Sequence, residues 1–352
     1  MTKSKIEWTD EVWNPLSGCT KVSQGCKNCY AETIANRFWA TQYPPNEDGS
    51  PRKFTDVRLH PERLEDPLRW KKPRRVFVNS MSDLFHEDVP NDFIASVFGA
   101  MALSQQHTFM ILTKRPKRAT DWFQDIGGTT RRAWVLLSAA RLINADRIKF
   151  PDWPLPNVWL GVSVEDQETA DERIPMLLQT PAAVRFVSYE PALGPVDFAS
   201  INGALSSWFR NGDIDVVDEG RLHWIIMGGE SGPGARPMHP DWARSVRDQC
   251  QAAGVPFFFK QWGEWMPVCP QYQDDNDEPG LDELDMIMMA HTICLGNKGT
   301  LYREDRGLKE EYWCGYQPDP WQNPWFLERV GKKAAGRILD GRTWDEFPEV
   351  AE

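Results

Sequence analysis

The sequence predicts an α/β fold, a partial parallel (β/α) barrel of six or seven strands carrying two insertions. Three observations predict it. Six short apolar runs rich in branched and aromatic residues recur along the chain, and such runs read as strands buried on both faces. Helical patterns stand between several of them, and alternation of strand with helix marks a parallel sheet. Nearly every run ends in polar or charged residues, which a barrel would gather at the rim where active sites are built.

Taken in order, a first strand is expected ahead of the stretch NPLSGCTKVSQGCKNCYAE, residues 14–32. RVFVNSMSD (75–83) delivers Asn79, Ser80, Ser82 and Asp83 to the rim, and NDFIASVFGAMALS (91–104) is helical. TFMILTKR (108–115) ends in Thr113, Lys114 and Arg115; residues 125–157 then break the expected short connection and read as an insertion. VWLGVSVED (158–166) brings Ser163, Glu165 and Asp166, followed by a helix over 166–179. VRFVSYEP (184–191) brings Ser188 and Glu190, and WIIMGGESG (224–232) brings Gly228, Gly229, Glu230 and Ser231. PDWARSVRDQCQAAG (240–254) opens on Pro240 and Asp241 and stops at Gly254, as a helix should. VPFFFKQWG (255–263) ends in Lys260, Gln261 and Trp262. Residues 1–265 are thus expected to form the barrel, 266–325 an acidic irregular insertion, and 326–352 a closing element with a helical start and a turn at DGR.

A chain of 352 residues with 41% hydrophobic content can bury a large core. Its formal net charge of -11 argues against coating nucleic acid through bulk charge, although RWKKPRR (69–75) and KRPKR (114–118) are locally basic. Aromatic rings can stack bases, but most of the seventeen tryptophans are expected in the core and its loops. No amino-terminal apolar run follows a basic stretch and no apolar run reaches bilayer length, which points to the cytoplasm and away from membranes. Seven cysteines, three of them inside eleven residues, fit metal or redox chemistry better than a disulfide framework. Cys250, Cys269, Cys294 and Cys314 are scattered and read as ordinary thiols.

Structural zinc wants four ligands, commonly two close pairs. Cys26 and Cys29 make one pair, Cys19 stands seven residues ahead, and His60 or His86 would have to complete the set. A [4Fe-4S] cube accepts three thiolates and leaves one iron for another ligand. On spacing alone the cluster stands modestly ahead of zinc, with unrelated structural thiols third.

A three-cysteine loop after the first barrel strand, with Tyr30 directly behind the last cysteine, resembles the radical S-adenosylmethionine superfamily. The usual motif there has three residues in its first interval and two in its second; this chain lengthens the first to six. Together with VNSMSDLFH, LTKRP, SYEP, GGESG, FFFKQWG and LDGRTWDEFP, the loop resembles a phage-associated family of three-cysteine-motif proteins of uncharacterised function. The likeness covers nearly the whole chain outside the insertions. It implies an enzyme in which Cys19, Cys26 and Cys29 hold three irons of a [4Fe-4S] cluster and the fourth iron takes S-adenosylmethionine. An electron from a reductant such as a flavodoxin or ferredoxin would then yield a 5′-deoxyadenosyl radical that abstracts hydrogen. A nucleobase, nucleotide or nucleic acid is the expected substrate.

The same resemblance implies cofactor-binding roles at the rim. Tyr30 would lie near the adenine; Asp83 and carbonyls near Ser80 and Ser82 would take the ammonium, and Lys114 or Arg115 the carboxylate. Ser163, Glu165 or Glu190 suit the ribose, Glu230 a hydroxyl, and Lys260 a substrate phosphate. Salt bridges among these charges are the plain structural alternative. Two other functions stand beside this one: a zinc-stabilised nucleic-acid-binding or nuclease-like protein, and a cluster-bearing barrel that does not cleave the cofactor and acts as a partner subunit or DNA-damage sensor.

Overall fold

The computed structural model describes residue 4 and residues 6–124, 131–144, 152–205, 221–268, 292–295, 301–302 and 325–349. Its strands begin with β1 (Glu11–Trp13), the short antiparallel pair β2 (Leu16–Ser17) and β3 (Arg58–Leu59), β4 (Arg75–Val78) and β5 (Thr108–Thr113). They continue with β6 (Val158–Val164), β7 (Val184–Tyr189), β8 (Trp224–Gly228) and β9 (Phe257–Gln261). Seven of them run parallel in the order β1-β4-β5-β6-β7-β8-β9. The six apolar runs are β4 to β9, and the strand expected ahead of the cysteines is β1. Helices α1 (Tyr30–Gln42), α2 (Asn91–Leu103), α3 (Pro116–Phe123), α4 (Arg131–Leu142), α5 (Gln167–Leu178) and α6 (Pro240–Ala253) lie among them.

Alternation along each strand sorts the side chains between two apolar layers. Val76, Ile111, Leu160, Val187, Ile225 and Phe257 face outward into one core with α2, α3, α5 and α6. Phe77, Met110, Trp159, Phe186, Trp224 and Phe258 face inward and join Trp8 in a second. The Trp8 ring lies 4.9 Å from Phe77 in β4 and 6.0 Å from Trp224 in β8, although three strands separate those two in the sheet. The sheet therefore curls into a half-barrel around Trp8. Gly161 makes room inside: a Cβ there would stand 2.5 Å from the Phe186 ring. Each such fully buried aromatic contributes about 2–3 kcal/mol. The strands read as near-continuous apolar runs because both of their faces are covered.

Part of the first insertion is α4, which packs on α2 so closely that a Cβ on Gly99 would come within 2.8 Å of the Ala139 amide nitrogen. In the second, described residues form strands β10 (Trp265–Val268), β11 (Thr292–Leu295), β12 (Leu301–Tyr302) and β13 (Trp325–Arg329), an antiparallel sheet ordered β10-β13-β11-β12. The acidic run at 273–285, Cys269 and Cys314 lie outside the described residues, as does the side chain of Cys294. The tail starts with a one-turn helix, Lys332–Ala335, and turns at Leu339–Arg342. It then lies along β9: the Phe259 amide donates to the Trp344 carbonyl (2.9 Å), and Trp224 and Trp262 donate from their indoles to the carbonyls of Glu346 and Ile338 (both 2.8 Å). An edge that would otherwise present free ladder groups is covered.

Candidate functional site

Continuing the inward alternation past the aromatic layer places Lys114, Ser163, Glu165, Ser188, Glu190, Glu230 and Lys260 at the carboxyl ends of the strands. Polar groups thus form the mouth above an aromatic floor. The cysteine loop, residues 19–29, crosses this mouth, and its own polar side chains fasten it to three strand ends.

The first fastening is at β5. Arg115 donates through Nη2 to the Thr20 hydroxyl (2.8 Å) and carbonyl (3.2 Å), through Nε to Glu87 (2.9 Å), and through Nη1 to Asp83 (3.3 Å) and the Cys19 sulfur (3.6 Å). His86, fully buried, accepts at Nδ1 from the Asp88 amide and so carries its proton on Nε2, which donates to Thr20 Oγ1 (2.9 Å). Burial and the Arg115 charge hold this imidazole below its ordinary pKa, in keeping with the neutral tautomer. The second fastening is at β6. Ser23 donates to Glu165 Oε1 (3.0 Å), Gln24 donates to Asp166, and Gly25 lies so close that a Cβ would stand 2.5 Å from the Glu165 carboxylate. Glu165 is fully buried and paired with both Lys114 and Arg173. The third is at β8, where Asn28 donates to Glu230 (3.0 Å) and the Gly234 carbonyl (2.8 Å), and Arg236 reaches the Gln24 carbonyl (3.1 Å). Burial raises the Glu230 carboxyl, but hydrogen bonds from Arg236 and Asn28 more than offset it and hold it below the ordinary range.

All three thiols are free and half-buried. Cys26 interacts electrostatically with both Cys19 and Cys29, and Lys21 with Cys26 and Cys29. Cys19 and Cys29 pack against the apolar cluster of Ala31, Ala35, Trp39 and Phe54. Burial, then the Asp83 carboxylate, pushes the Cys19 thiol up to about 11 against the pull of Arg115. Burial raises Cys29 too, offset in part by the amides of Glu32 and Ala31 at the start of α1. Metal binding at Cys19 and Cys29 must therefore displace protons. Among the described residues no group of three or more His, Cys, Asp or Glu side chains is arranged to hold a metal ion. A cube takes one thiolate at each of three corners and needs the sulfurs wider apart than a single ion does. The histidines considered as zinc ligands have other partners: His60 meets Ser17 (2.6 Å), and His86 meets Thr20.

The other expected cofactor contacts resolve into pairs. Tyr30 donates its phenol to the Ser80 carbonyl (2.5 Å), while Ser80 Oγ exchanges a hydrogen bond with Asn14 (3.4 Å). Asp83 is saturated by Thr113 (2.8 Å), the amides of Phe85 and Lys114 (both 3.0 Å) and Arg115. Ser163 donates to the Glu190 carbonyl (3.1 Å), and Lys260 to Glu190 Oε2 (2.5 Å), across β8 where Gly228 has no side chain to part them. KRPKR is divided: Lys114 and Arg115 turn into the mouth, Lys117 pairs with Asp121 (3.0 Å), and Arg118 bonds Asn91.

Sequence reasoning did not single out Gly25 and Asn28 within the loop, nor Arg173 and Arg236, which hold Glu165 and Glu230 beneath it. The signal for the loop residues was the polar character of every interval between the cysteines; Arg173 and Arg236 left none. Four further side-chain atoms at strand ends are buried without a partner among the described residues: both amide atoms of Asn79, Glu190 Oε1 and Gln261 Oε1. Asn79 also holds φ at +66°, a left-handed conformation uncommon outside glycine.

No described helix is long and apolar enough to cross a membrane. No curated protein and no solved structure matches the chain. From residue 3 to residue 348, however, the sequence matches the family model described as Protein of unknown function (DUF5131), and the chain belongs to that family.

Proposed function

We propose that the loop carries a [4Fe-4S] cluster on Cys19, Cys26 and Cys29 and that the mouth beneath it binds S-adenosylmethionine, as a cytoplasmic radical S-adenosylmethionine-type enzyme. The observation that carries the reading is that a three-thiol loop is strapped across the carboxyl ends of a parallel half-barrel by Arg115, Glu165 and Glu230. The resemblance to phage-associated three-cysteine-motif proteins and to the radical superfamily supports it. When bound, cluster and cofactor together supply one-electron carbon–sulfur cleavage and a hydrogen-abstracting radical.

The chain's own residues suit that role. Arg115 and Lys21 set positive charge beside sulfurs that must ionise. Trp39 and Phe54 limit water at the thiols. Buried polar groups are nearly always satisfied, so Asn79, Glu190 and Gln261 are where a polar ligand or its water completes the structure. Their mix of donor and acceptors above Trp159, Phe186, Trp224 and Phe258 suits a planar polar ring, hence a nucleobase or nucleotide as substrate.

The test is anaerobic reduction with dithionite in the presence of S-adenosylmethionine, followed by a search for 5′-deoxyadenosine. Wild-type protein is expected to form it and Cys26→Ala to form none. A protein that binds iron and sulfide yet yields no 5′-deoxyadenosine would favour the non-catalytic partner or sensor.

A further inference from the structure

Helix α1 has two apolar stripes where a surface helix needs one. Ala31, Ala35 and Trp39, spaced by four, are buried against Phe54. Ile34 and Phe38, also spaced by four, point outward and are 42% and 38% exposed, and one turn ahead of them Tyr30, whose phenol reaches the Ser80 carbonyl, leaves 50% of its surface exposed. Val22, in the cysteine loop, is 45% exposed, so four of the seven large hydrophobics exposed among the described residues fall between positions 22 and 38. Scattered exposed hydrophobics are ordinary, but a contiguous stripe marks an interaction surface. This stripe starts at the residue after Cys29, and Ile34 is only about 6 Å further along the axis.

Charge narrows the partner. From Cys19 to Tyr43 the chain carries Lys21, Lys27 and Arg37 against one acid, Glu32, in a molecule whose formal net charge is -11. Lys21 pairs with Glu32 at 2.8 Å, and Arg37 lies over the Phe38 ring at 5.0 Å. The aliphatic Val22 and Ile34 suit a protein surface better than a run of bases, and the basic border suits an acidic one.

We infer that the outer stripe of α1, with Val22, docks an acidic electron-carrying protein and brings its redox group to the thiols. The inference rests on the proposed cluster and adds the surface through which that cluster is reduced. Ile34 and Phe38 anchor the contact, the basic residues steer it, and both anchors stand exposed, outside the apolar cluster on which Cys19 and Cys29 pack.

The test compares reduction of the iron-loaded protein by dithionite and by a reduced flavodoxin or ferredoxin, in wild type and in Ile34→Asp/Phe38→Asp. Both positions are exposed, and the milder Ile34→Ser/Phe38→Ser guards against loss of folding. The expected result is unchanged iron content and dithionite rate with a fall of about tenfold or more with the protein donor, the scale of lost hot-spot side chains. Equal donor rates in wild type and variants overturn the inference. So does a change in oligomeric state, which assigns the stripe to a second copy, or variant-sensitive binding of a single-stranded oligonucleotide, which assigns it to nucleic acid. A wild-type chain without iron overturns both readings, and the iron content shows that the cluster failed first.

Discussion

Gly25 has no side chain because Glu165 stands where one would go, and Glu165 is held there by Lys114, Arg173 and Ser23. Gly25→Ala is therefore expected to cost about 1–3 kcal/mol, as overpacking does, and to loosen the cysteine loop. Thermal unfolding and iron retention check both; a variant with wild-type values for both would contradict the contact. Arg115→Met removes the counter-charge of buried Asp83, whose remaining donors soften the loss, so a destabilisation of about 2–3 kcal/mol is expected from denaturant unfolding. Asn79→Gly runs the other way. It removes an unsatisfied amide and relieves the left-handed backbone, and is expected to leave stability within about 1 kcal/mol of wild type or above it while impairing ligand binding. A large loss of stability would show that Asn79 is structural. At this scale the cysteines were legible from their spacing, whereas Arg173 and Arg236 were not, since nothing in a linear sequence reveals which arginine will face Glu165 or Glu230.

Among the elements, β4 to β9 and α2, α5 and α6 could be read directly, because strands covered on both faces are continuously apolar and the helices between them keep an ordinary period. Helix α1 escaped notice since its inner and outer apolar stripes together blur the 3.6-residue rhythm. Strands β10 to β13 escaped because they are short and far apart in a polar stretch, so the span read as irregular. The inner layer makes its own prediction. A Cβ at Gly161 would strike the Phe186 ring, which is fully buried against Trp8 and Trp224, so Gly161→Ala is expected to destabilise by about 1–3 kcal/mol. Adding Phe186→Leu should restore part of that loss; the absence of any rescue would show that the two residues are not coupled.

For the whole molecule, acid is the expected weakness. Burial lowers His60, His86, His107 and His239 below their ordinary value of 6.5. The unfolded chain then takes up protons first, so their contribution to stability is complete above that value and is lost as pH falls through and below it. Glu230, lowered below 4.5, adds a second loss at more acid pH. The melting temperature is expected to hold from pH 8 to 7 and fall steadily from 6.5 to 5; a flat profile over that range would contradict the burial of these imidazoles. The proposed function puts a metal centre in the loop strapped across the mouth of the half-barrel, and the metal content of the protein is the most direct thing to measure. Anaerobic purification followed by iron, acid-labile sulfide and zinc analysis is expected to give about four irons and four sulfides per chain, lost together in Cys19→Ala, Cys26→Ala and Cys29→Ala. Stoichiometric zinc without iron, or no metal at all, would contradict the account and leave the loop as a structural closure of the barrel's mouth.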